Sequence, residues 1–356
     1  MKTASGPVTA LDASLLAQQL VVALARVPFR QPLTGPSSKP ANLAISVTRE
    51  VLRSFIGYAA SLRIPEFRSL EVVLDNICSV VLPPVVRAFQ VDGRSAELGG
   101  VPGILYVPRG VDPVGVVLYL HGGGYIGTSP RMYAAFTAQL CRETECAMFV
   151  ADYRLAPEFP YPAAAEDASA VYRDLMGRGV PPERILIAGD SGGGGLANTV
   201  LLASPERIDP IRPAGLVLFS PEVDLRLDEP SVTENAESDI LPWNIPTASY
   251  LHGADATSAS LDPLNADVSA FPPTFVCWGG DEMFRDPIRR YVGRLQAAGV
   301  PTTAREHEGM FHVFPILMPW ADSSRSVFSS LREFVHKLVA DAPPLPAAAM
   351  VVRPPA

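Results

Sequence analysis

The 356-residue chain is 48% hydrophobic and 19% charged, enough apolar sequence to bury the core of one large domain with elaborations. Its net charge of −8 leaves no basic surface to offset phosphate charge, so nucleic acid or an anionic membrane is a poor partner and a small neutral or apolar substrate fits better. The four cysteines, Cys78, Cys141, Cys146 and Cys277, form no C-x-x-C pair, which argues against a zinc site and a disulfide framework and for reduced core residues.

The N-terminus has no basic region followed by a clean apolar run. Its stretch "SLLAQQLVVALARV" is broken by Gln18 and Gln19 and is too short to span a bilayer. The expectation is therefore a cytoplasmic protein without stable membrane insertion. Apolar helical patterns follow at 13–26, 46–62 and 66–80, separated by the proline-rich "VPFRQPLTGPSSKP". Residues 1–83 thus read as a helical preface, and the first 45 or so are expected to roof the site as part of a cap.

Downstream, β-rich runs alternate with helical stretches. The runs are "VVRAFQVD", "GILYVP", "VGVVLYL", "CAMFVADY", "RILIAGD", "GLVLFSP", "TFVCWGG" and "TTAREHE". Helices are expected at 131–143, 164–177, 194–203, 285–298 and 322–340, and a disordered tail over 342–356. This alternation predicts an α/β fold with a mostly parallel sheet and right-handed crossovers over residues 84–341. Several runs are apolar almost throughout, as strands covered on both faces should be.

In such sheets, functional groups collect at the carboxyl ends of the strands. After "RILIA" comes "GDSGGG", a G-x-S-x-G pattern between a strand and a helix, which makes Ser191 the candidate nucleophile. A serine hydroxyl needs a base. Of the five histidines, His336 sits in the last helix, His307 in the last strand and His252 in a cap segment, whereas His312 in "EGMFHVF" lies in a loop after that strand. The base in turn needs a carboxylate to orient it. Asp281 follows "TFVCWGG" at a strand end and is the expected acid; its rivals are Glu282, expected to point elsewhere, and Asp286, one turn into the next helix. The order Ser191, Asp281, His312 is that of an α/β-hydrolase.

The stretch "YLHGGGYIGT" supplies bare backbone where an oxyanion would form. Gly123 and Gly124, with Gly192 directly after the nucleophile, are the expected N–H donors, while His121 and Gly122 support the loop. The same stretch fits G-x-G-x-x-G through Gly122, Gly124 and Gly127. As a dinucleotide site its register is poor, because the next strand-end acid, Asp152, lies 30 residues on (152 minus 122) where about 20 is expected.

Together, "HGGG", "DYRLAPEFPYPAAAEDA", "GDSGGG", "GGDE" and "GMFHVF" resemble the hormone-sensitive-lipase-like branch of the α/β-hydrolases over about residues 85–340. The resemblance implies an eight-stranded sheet, a helical cap with an insertion near 222–262, and a carboxylic-ester hydrolase that needs no cofactor. It implies small-molecule esters of short to medium acyl chain as substrates, with Arg154 and Glu158 bracing the loops. Family members commonly carry alanine where this chain has Gly192. Plant gibberellin receptors also resemble this branch but replace the histidine; with His312 present, an enzyme is expected rather than a small-molecule receptor. A lactone hydrolase is an alternative on the same chemistry, and a homo-oligomer is compatible with the sequence.

Overall fold

In the computed structural model, residues 38–203, 212–242 and 244–346 are described, together with Gln18 and Val21, both helical. Apart from those two residues, the helix expected at 13–26 lies outside the described residues, as does the tail beyond 346.

The preface supplies two long helices, α1 (Lys39–Ser61) and α2 (Ile64–Ala88). Ser38 caps α1 by accepting the Ala41 N–H, and Glu66 closes a capping box with Arg63 at the start of α2. Helix α2 runs past the expected end at 80, through Pro83 and Pro84, so the first half of "VVRAFQVD" is helix and not strand. A short apolar run does not distinguish the two by periodicity. The chain turns at Gln90, φ 58°, and the first strand begins at Val91. Among the described residues α2 is the helix long and apolar enough to cross a membrane. Its first half is buried through Arg68, Ser69, Leu70 and Glu71, while Val73, Ile77, Val80, Val81 and Val85 form an exposed stripe.

The sheet has eight strands, β1 (Val91–Leu98), β2 (Val101–Pro108), β3 (Val116–Leu120), β4 (Ala147–Ala151), β5 (Ile185–Asp190), β6 (Gly215–Phe219), β7 (Thr274–Gly279) and β8 (Thr302–His307). Their order is β1-β2-β4-β3-β5-β6-β7-β8, antiparallel at β1/β2 and β2/β4 and parallel from β4 to β8. Strands β3 to β7 are buried at every residue, which explains their unbroken apolar sequences.

Strand alternation divides the core into two layers. Val116, Leu118, Ile187, Leu216 and Val276 pack with α4 (Ala163–Gly177), α5 (Ser191–Leu202) and α8 (Arg285–Ala297) through residues such as Val171, Val200 and Ile288. Val117, Tyr119, Leu186, Val217 and Phe275 face the opposite way, toward α3 (Ala134–Thr144) and α10 (Asp322–Val339) through Phe136, Phe328 and Leu331. Between β6 and β7 lie the short helices α6 (Pro230–Glu234) and α7 (Thr247–Leu251); α9 (Phe314–Leu317) follows the loop after β8. The architecture is the expected eight-stranded, mostly parallel α/β sheet.

Candidate active site

Strand β5 ends at Asp190, and Ser191 begins α5 three residues earlier than the sequence pattern suggested. Its φ is +51°, a left-handed conformation rare outside glycine. Such a turn places the strand end and helix start within van der Waals reach. A Cβ on Gly193 would overlap the carbonyl oxygens of Leu120 and His121, and one on Gly189 the carbonyl of Gly193. The turn therefore exists only with glycine on both sides of the serine. The first N–H groups of α5 have no intrahelical acceptor, so the helix start favours developing negative charge beside Ser191.

The glycine loop after β3 is fastened to this turn by Asp190. Its carboxylate accepts from Tyr119 at 2.8 Å, Tyr133 at 2.7 Å and the Gly122 amide at 2.9 Å. Burial pushes this carboxyl up to about 7, against the pull of these donors. Gly123 and Gly124 have φ of +120° and +59°, and no acceptor among the described residues takes their N–H groups. Gly192 abuts them: a Cβ there would lie 3.3 Å from the Gly124 Cα. The three expected donors therefore share one corner. His121 keeps the loop in place as expected, with Nδ1 2.8 Å from the Thr128 hydroxyl and its ring stacked on Tyr153 at 4.5 Å.

The residues just after β6 join Ser191 to the His312 loop. The Glu222 amide donates to the Ser191 carbonyl at 2.9 Å, and two residues earlier the Ser220 hydroxyl accepts the Val313 amide at 3.0 Å. His312 is buried, its ring edge-on to Phe284 at 5.1 Å, and neither ring nitrogen has a hydrogen-bond partner among the described residues. Desolvation pulls the imidazole below its ordinary value, so the resting ring is neutral.

The carboxylate beside His312 belongs to Glu282, which corrects the sequence-based choice of Asp281. Glu282 Oε2 lies 3.9 Å from His312 Nδ1, within ion-pair range, and accepts from the Ser220 hydroxyl at 2.6 Å and the Gly279 amide at 3.1 Å. It is fully buried, and burial pushes its carboxyl well above the usual range. An isolated charge on either partner is costly here; formed together, carboxylate and imidazolium offset one another. Asp281 turns outward, with its side chain 36% exposed and paired with Arg49 at 3.5 Å. Asp286 pairs with Arg285 at 2.8 Å and accepts the Ser231 amide at 3.1 Å. The strand-end turn rotates successive side chains to opposite sides, and the sequence does not say which of two adjacent acids faces inward.

Comparison with known proteins agrees with this geometry. A family model described as "alpha/beta hydrolase fold" matches residues 117–316, more than half of the chain. An esterase from the bacterial hormone-sensitive lipase family superposes with a TM-score of 0.72 at 31% identity, covering 81% of this chain and 97% of that one. This chain is an α/β-hydrolase of the hormone-sensitive-lipase-like branch. Curated relatives include the carboxylesterase/phospholipase LipF of Mycobacterium tuberculosis, 30% identical over 86% of this chain and 84% of LipF. The acetyl-hydrolase of Streptomyces hygroscopicus is 37% identical over 56% of this chain and 67% of its own length.

In this hydrolase the preface helices brace the catalytic loops. Arg68 of α2 donates to Glu158 at 2.6 Å, to Glu71 at 2.6 Å, to the Ala156 carbonyl at 2.8 Å and to the Ile126 carbonyl of the glycine loop. Arg49 of α1 donates to the Gly309 carbonyl at 2.7 Å, ahead of His312. Glu158 thus acts through an arginine that the sequence reading did not single out. Arg154 instead pairs with Glu166 and Asp167 at the start of α4. Over the glycine loop, Pro246 comes within 3.2 Å of where a Gly124 Cβ would be, and Tyr250 stacks on Tyr125 at 3.8 Å. Asp190 and Ser220 were also missed, and Glu282 was named only as a rival expected to point elsewhere. Only Asp190, beside the nucleophile, carried a local signal.

Proposed function

We propose that the protein hydrolyses carboxylic esters through an acyl-enzyme on Ser191, with His312 as the base and Glu282 as the carboxylate behind it. The observation that carries this reading is the left-handed Ser191 at the start of α5, whose neighbour Gly192 abuts the loop of two glycines with N–H groups that have no acceptor among the described residues. A nucleophile beside free, fixed donors suits a reaction whose transition state places charge on a carbonyl oxygen.

In this mechanism His312 takes the Ser191 proton as Oγ attacks the ester carbonyl. The N–H groups of Gly123, Gly124 and Gly192 receive the oxyanion, and Glu282 stabilises the imidazolium. Collapse of the intermediate expels the alcohol, protonated by His312. Water activated by the same ring then releases the acid. The segment 222–262 and helices α1 and α2 serve as the cap. Pro246 and the Tyr125–Tyr250 stack narrow the space above the glycine loop, which together with the acetyl-hydrolase relative supports short to medium acyl chains.

The test is a chain-length series of chromogenic esters combined with active-site labelling by a fluorophosphonate. Expected are a maximum of kcat/KM at short to medium chains and one label per chain, lost in Ser191→Ala. Labelling retained in that variant would overturn the nucleophile.

A further inference from the structure

The segment between β6 and β7 places one fully buried carboxylate, Asp239, between the two loops that carry the base and its acid. Its Oδ1 accepts the amides of Ile240 at 2.7 Å and His312 at 2.9 Å; its Oδ2 accepts the amide of Met283 at 2.8 Å. Its own carbonyl is held from the preface, by Arg53 at 2.8 Å. A carboxylate accepting three main-chain N–H groups makes short, charge-assisted bonds, and it fixes the positions of those amides relative to one another. Two of them are consequential. One is the backbone of His312 itself, and the other belongs to the residue directly after Glu282.

We infer that Asp239 is a positioning residue for hydrolysis, setting the separation of the His312 and Glu282 side chains by holding the amides of His312 and Met283 on one carboxylate. The inference rests on reading His312 and Glu282 as base and acid. Ser220 ties the same loops a second time, through the Val313 amide and Glu282. The His312 ring has no side-chain hydrogen bond among the described residues, so its placement depends on these main-chain anchors and on Phe284. Displacing a reacting group by about 1 Å can cost about 10²-fold in rate.

Asp239→Asn keeps the shape but turns one acceptor into an NH₂ group that must face a backbone N–H, either at Met283 or at His312 and Ile240. The experiment compares this variant with Glu282→Gln and the parent. Active sites are counted with a fluorophosphonate, kcat is expressed per counted site, and kcat/KM is followed with pH. The expected result is full site count, a loss in kcat of about 10- to 100-fold with KM within about threefold, and an acidic midpoint left where desolvation of His312 sets it. Arg53→Gln, which removes the donor to the Asp239 carbonyl but leaves the carboxylate in place, should lose less kcat.

A kcat per site unchanged in Asp239→Asn, or a loss matched entirely by missing sites, would reduce Asp239 to a scaffold residue while an impaired Glu282→Gln left the acid assignment standing. A fully active Glu282→Gln would overturn both at once.

Discussion

The nucleophile side of the site is built almost wholly from contiguous sequence, whereas the base side is assembled from segments far apart in the chain. Gly189 to Gly193 form the turn against the end of β3, and Asp190 within that same stretch fastens the glycine loop. His312, by contrast, is held by Asp239, by Ser220 through the next amide, and by Phe284, with Glu282 alongside. Local steric rules fix the first side and long-range hydrogen bonds fix the second. The first should fail by overlap when a single atom is added; the second should fail by loss of alignment when one acceptor is changed.

The largest effect is expected at the meeting point of the two sides. Ser191→Ala should lower ester turnover by several orders of magnitude, leaving about 10³- to 10⁴-fold over water from the oxyanion donors and binding. Near-parent kcat in the purified variant would remove the serine from the mechanism.

The next test separates two adjacent acids. Glu282→Gln should cost about 10²- to 10⁴-fold in kcat, since the imidazolium would lose its buried counter-charge. Asp281→Asn should stay within about fivefold, because a partly exposed pair with Arg49 at 3.5 Å is worth about 1 kcal/mol. Steady-state kinetics on both variants decide it, and the opposite ranking would return the acid to Asp281.

On the glycine side, Gly193→Ala should abolish activity or soluble expression, since its Cβ has no space beside the Leu120 carbonyl. Gly192→Ala should keep activity within about tenfold, because its nearest neighbour is the Tyr125 amide at 3.1 Å, a contact that a shift of a few tenths of an ångström relieves. Equal damage at both positions would show that the turn is not limited by this overlap.

The pH profile sharpens the base side. An unperturbed histidine would give a midpoint near about 6.5, and burial pulls His312 lower, so kcat/KM should hold level from pH 8 to below that value. A midpoint above pH 7 would contradict the desolvated ring.

The smallest effect concerns stability. Both carboxylate oxygens of Glu222 are buried without a hydrogen-bond partner among the described residues, and burial, reinforced by Asp224, pushes the carboxyl from 4.5 up to about 8. With the folded value above the unfolded one, its contribution is fully present below pH 4.5 and is lost as pH rises through 8. Glu222→Gln should therefore melt close to the parent at pH 5 and about 2 °C or more above it at pH 9. A parent that melts higher at pH 9 would mean that the carboxylate finds a partner.

By itself the sequence determined the α/β class and six of the eight strand positions in full, and it singled out the Ser191 turn, the glycine loop and His312 as candidates. Each of these is governed by local physics: two-sided burial makes a strand apolar throughout, and a tight turn admits only glycine beside the serine. The tertiary structure decided what depends on direction. It turned Glu282 inward and Asp281 toward Arg49, carried α2 through two prolines into a stretch that reads equally well as strand, and brought Asp239, Arg49 and Arg68 onto the catalytic loops. Spacing along the chain records neither which way a side chain leaves a turn nor which distant amide a buried carboxylate will meet, because both are set by packing among segments up to 260 residues apart.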